Sequence, residues 1–170
     1  MRSTIAIDVA APAELVFRIA SDVTRWPDLL PHYVSVRPLG TARHEGELLA
    51  RMVARRPLFG LLGLGIPVTW QARTWNEPGS LRLRFVHVAG ATKGMDVTWR
   101  IEPTDGGCRV SIVHDFRPGW PFFAVVVDRW FTRPIAQRTL STFKVLAEAL
   151  TEQPLRPPES RGAHSTNPPT

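Results

Sequence analysis

The apolar residues of this chain alternate for most of its length and then change period once, and that switch confines the fold. Six runs between Val34 and Phe116 show strand-like alternation, each ended by turn formers. They are Val34–Leu39, Glu47–Ala54, Pro67–Trp75, Leu81–Val88, Met95–Glu102 and Cys108–Phe116. Short connections such as Asp105-Gly106 favour hairpins, so neighbouring runs are expected to pair antiparallel. From Pro121 to Leu150 the period becomes helical. Ala136, Leu140, Phe143, Ala147 and Leu150 share one face, opposite Gln137, Ser141, Lys144 and Glu148. A helix with one apolar face needs a sheet to cover, which predicts α+β. Pro134 lacks a backbone donor and is expected to kink or interrupt this helix near Arg133.

The N-terminal segment adds a further strand, Ile5–Val9, and a helix begun by Pro12 with Leu15, Val16, Ile19 and Ala20 in one stripe. Trp26-Pro27 and Leu30-Pro31 then force a corner that ends at Tyr33. This opening, with the closing helix Ala136–Leu150, resembles the START-like (SRPBCC) superfamily and within it the polyketide cyclase/dehydrase group. The resemblance implies a helix-grip fold: a curved antiparallel sheet of six or seven strands wrapped around a long C-terminal helix, enclosing an apolar cavity. One such domain is expected over residues 1–151. Residues 152–170, with Pro154, Pro157, Pro158, Pro168 and Pro169, have little to bury and read as a disordered tail.

The net charge of +6 raises nucleic acid as a partner, but the arginines are scattered and only Arg55-Arg56 form a local pair. Nucleic-acid binding is therefore not expected. Cys108 is the single cysteine, which excludes an internal disulfide. No apolar run approaches the ~20 residues of a membrane span. A cytoplasmic protein is the expectation, with no metal site and no cofactor implied.

Alternation assigns faces. Leu81, Leu83, Phe85 and His87 oppose Arg82 and Arg84, and Met95, Val97, Trp99 and Ile101 oppose Asp96, Thr98 and Arg100. Val110, Ile112, His114 and Phe116 likewise oppose Arg109, Ser111 and Asp115. His87 and His114 are thus expected to point inward on either side of Val97. A histidine on such a face also serves as ordinary core. As ligand-lining candidates the chain offers Trp26, Trp70, Leu83, Phe85, Val97, Trp99, Ile112 and Phe116, with His87, His114 and Tyr33 as candidate catalytic groups.

Similarity to tetracenomycin-type aromatase/cyclases implies that Tyr33 helps fold and dehydrate a poly-β-ketone. The arginine those proteins use within the sheet falls here at Thr74. Arg73, one residue away, points outward unless a bulge intervenes. The glycine-interrupted apolar loop 57–67 is read as a lid, a dimer contact, a transient membrane contact through 58–66, or simple packing. The leading functional expectation is binding of a hydrophobic, aromatic or polyketide-like molecule, with cyclase/dehydrase chemistry if the protein is an enzyme. The rival is a lipid or quinone carrier, since the Trp-Pro-Asp-Leu-Leu-Pro31 corner also resembles coenzyme Q-binding proteins. A ribosome-associated role draws only on the positive charge.

Overall fold

The structure, a computed structural model, describes residues 1–40, 46–57, 65–119 and 121–152. Seven strands form one antiparallel sheet: β1 (Arg2–Val9), β2 (Tyr33–Pro38), β3 (Leu48–Pro57), β4 (Gly65–Glu77), β5 (Arg82–Gly90), β6 (Asp96–Thr104) and β7 (Gly107–Asp115). Their spatial order is β1-β7-β6-β5-β4-β3-β2. Consecutive strands from β2 to β7 are neighbours, and β1 closes the far edge against β7, pairing Ile5 with Ile112 and Ser3 with His114. The expected meander is present. β3 and β4 run longer than their alternation suggested, so Pro57 and Gly65 to Pro67 belong to strands rather than to a loop. The remaining loop residues, 58–64, and the tail from 153 lie outside the described residues.

Between β1 and β2 the chain forms α1 (Ala13–Ser21), a short 3-10 turn and α2 (Trp26–Leu29). Pro12 stands at the N-cap of α1, where its missing donor costs nothing. Pro27 sits in the first turn of α2 for the same reason. The Trp26 indole Nε1 donates to the Ala20 carbonyl at 3.0 Å, which fixes the corner from within.

The closing helix crosses the sheet as α3 (Pro121–Val127) and α4 (Arg133–Glu152), joined by a π turn over Asp128–Thr132. The interruption falls where Pro134 requires it. The Arg133 amide bonds to the Asp128 carbonyl, five residues back, and the wider turn passes the proline without breaking the axis. The buried face of α4 is Ala136, Thr139, Leu140, Phe143 and Ala147. Phe143 packs edge-on against Trp99 at 5.7 Å and Trp26 at 6.0 Å, tying helix, sheet and corner into one core.

Candidate functional site

A cavity lies between the concave face of the sheet and the closing helix. Space for the centres of water-sized spheres amounts to about 90 Å³, where one water needs ~10–15 Å³. The lining is mainly aromatic and aliphatic. Trp26, Tyr33, Trp70, Phe85, Val97, Trp99 and Ile112 contribute, together with His87 and His114. Leu83 and Phe116 are buried as well, but they sit in the core and do not line the cavity. Leu83 lies too far along β5, opposite Trp99, and Phe116 follows the end of β7, against Phe123.

The two histidines arrive from different strands. His114 stands directly opposite Val97 in the β6–β7 ladder. His87 exchanges backbone hydrogen bonds across the β5–β6 turn, donating to Met95 and accepting from Gly94. A bulge at Val88 of β5 breaks the register with β4 just beyond His87. The His87 ring stacks on Trp70, with centroids 5.8 Å apart, and its Nδ1 lies 2.6 Å from the Thr92 hydroxyl.

Burial sets the charge state of these groups. It pushes His87 down to about 3, aided by the neighbouring His114, because a desolvated imidazolium is unfavourable. His114 is pushed down to about 4 by burial, with Asp128 acting in the opposite direction and Arg133 adding to the fall. Both are neutral near pH 7. The Tyr33 hydroxyl is raised well above its ordinary value by burial, against the pull of a hydrogen bond with Thr139, and stays protonated. Tyr33 meets Trp26 edge-on at 5.1 Å and Trp70 at 6.1 Å.

Alternation could not reveal the helix wall or the corner histidine. Phe131, Thr132, Ile135, Ala136 and Thr139 close the cavity from the helix side, and Met52, Val68, Thr92 and Met95 extend the sheet side. Thr139 lies one position from Leu140 on the buried face, so the helical period held a signal for it. His32 sits in an irregular corner and carried none. Its Nε2 donates to the Thr139 hydroxyl at 2.8 Å, while that hydroxyl donates to the Ile135 carbonyl at 2.8 Å. Burial, assisted by Arg138, pushes His32 down to about 4.

A second polar group stands beside His114. Asp128, buried by the π turn, accepts from Ser3 Oγ at 2.8 Å and from Arg133 Nε at 2.8 Å. Ser3 is the register partner of His114, so the carboxylate lies over the same end of the sheet. Among the described residues, two buried polar atoms of the cavity lining have no protein partner: Trp70 Nε1 and His114 Nδ1. An apolar ligand bearing an oxygen could satisfy them. Arg73 pairs with Glu47 at 3.5 Å and does not line the cavity. Thr74 is buried, and it too is absent from the lining.

The fold recurs in solved structures. The Zhui aromatase/cyclase from Streptomyces sp. R1128 superposes with a TM-score of 0.70 at 19% identity, over 89% of this chain and 95% of that one. A START superfamily protein from Mycobacterium smegmatis gives 0.67 at 14% identity, over 88% and 98%. In sequence, the granaticin polyketide synthase bifunctional cyclase/dehydratase of Streptomyces virginiae is 26% identical over 113 residues, 65% of this chain; the match spans about a third, 34%, of that relative's length. Among the described residues no helix is long and apolar enough to cross a membrane. The family described as polyketide cyclase / dehydrase and lipid transport matches residues 1–148, and it is to this family that the chain belongs.

Proposed function

We propose that the cavity binds an oxygen-bearing aromatic or polyketide-like molecule and promotes its cyclisation and dehydration. The observation that carries this reading is the placement of His87, His114 and Tyr33 in the wall of one apolar cavity. An aromatic enclosure holds a flexible poly-β-ketone folded, which lowers the entropic part of the barrier. The C–H between two carbonyls is the acidic site of such a chain. A neutral imidazole takes that proton, and the enolate carbon attacks a second carbonyl to form the ring bond. The resulting alkoxide takes a proton back, and loss of water completes a double bond.

The lowered pKa of the two imidazoles does not oppose this sequence. An enolate formed beside the imidazole favours its protonated form and lifts its pKa as the reaction proceeds. Tyr33, held protonated by burial, donates to a ligand oxygen as charge develops there. His114 is the better candidate base, since the Asp128 carboxylate favours its imidazolium, and among the described residues no carboxylate acts on His87 in this way.

The test is turnover of a poly-β-ketone surrogate by His87→Gln and His114→Gln, with ligand affinity measured alongside. Loss of the base is expected to slow His114→Gln by about 10²–10⁴-fold at near-unchanged affinity. His87→Gln is expected to fall less. A wild-type product distribution matching that in buffer, with binding retained, would contradict the enzymatic reading.

A further inference from the structure

Four large apolar side chains are exposed within nine residues of the closing helix: Phe122 at 79%, Phe123 at 42%, Val125 at 57% and Trp130 at 52%. Ala124, Val127 and Asp128 are buried on the other side. Phe122, Val125 and Arg129 fall at helical spacing on the outer face. Every exposed charge from Arg117 to Arg133 is an arginine, namely Arg117, Arg129 and Arg133. The single acid of the segment, Asp128, is buried and bonded to Ser3 and Arg133.

We propose that this face docks on an anionic bilayer surface, with Phe122 and Val125 entering the acyl boundary and Arg129 meeting lipid phosphates. Exposed Phe and Trp beside Arg129 is the composition of a helix that lies in a membrane interface, while Arg117 and Arg133 are ion-paired with Asp115 and Asp128. Guanidinium groups suit phosphate oxygens. Since no described helix is long and apolar enough to cross a membrane, the helix rests on the surface rather than spanning it. A second copy of the chain fits less well. The four side chains present roughly 400–500 Å², short of the ~800 Å² per partner of a stable interface. A two-fold contact would also set Arg129 against its own copy. The helix continues directly into Phe131, Thr132 and Ile135 of the cavity wall, so a docked molecule would hold its cavity next to the lipid.

This inference is independent of the proposed reaction. The experiment is sedimentation of the full chain with vesicles of phosphatidylcholine alone or mixed with phosphatidylglycerol. Binding to the mixed vesicles is expected, weakening as salt rises. The double variant Phe122→Ser, Val125→Ser should partition about tenfold less or worse, and Arg129→Glu should lose about fivefold or more on anionic vesicles only. All positions are exposed, so thermal unfolding should not move. Equal sedimentation of wild type and variants would overturn the proposal. So would a fall in melting temperature that shows the face to be packed, or a wild-type dimer that the double variant makes monomeric.

Discussion

Three desolvated imidazoles, two buried and one half-buried, give the protein a pH dependence readable at single residues. His32, His87 and His114 all have folded-state values below the ordinary 6.5, two at about 4 and one at about 3, chiefly because burial disfavours the cation. Between pH 6.5 and about 4 the unfolded chain therefore binds more protons than the folded one. The stability these groups contribute is fully present above 6.5 and is lost as pH falls through that window. Each contributes a slope of up to about 1.4 kcal/mol per pH unit. Denaturant unfolding at stepped pH should show this loss, and His32→Gln should make the slope shallower by about one proton. An unchanged slope would mean that His32 titrates normally in the folded state. His87 and His114 were legible in the sequence because alternation on β5 and β7 fixes which face they share. His32 was not, because no period runs through a corner set by Pro31 and held by side-chain bonds to Thr139.

At the scale of elements, the strands were legible for the same reason, and the helix because its apolar stripe outlasts the π turn. Pro134 announced an interruption, but its form depended on tertiary context: a wider turn keeps the axis and buries Asp128 against Ser3. The joints show how tightly the elements meet. Gly107 opens β7 at φ 146°, and a Cβ there would lie 2.1 Å from the Val9 carbonyl oxygen of β1. Gly107→Ala combines an unfavourable dihedral with a backbone clash, and is expected to cost about 2 kcal/mol or more. A lowered denaturation midpoint with unchanged denaturant slope would register that cost.

Over the whole molecule, a meander closed by its own first strand leaves one concave face, and a single helix cannot fill all of it with side chains. The sequence predicted the sheet side of the remaining space through Phe85, Val97, Trp99 and Ile112, while Leu83 and Phe116 were absorbed by the core. The helix side, from Phe131 to Thr139, depends on how the helix lies across the sheet, which one sequence does not encode locally. The central claim is that this space receives the ligand. Calorimetric titration of a hydroxylated naphthoquinone into wild type and into Val97→Phe tests it most directly. Val97 lines the cavity opposite His114, and the larger ring takes up the free space at an overpacking cost of about 1–3 kcal/mol. Saturable one-site binding by wild type, weakened at least about tenfold in a variant that still unfolds cooperatively, is the predicted result. Equal affinity in the two proteins, or no saturable binding by wild type, would contradict it.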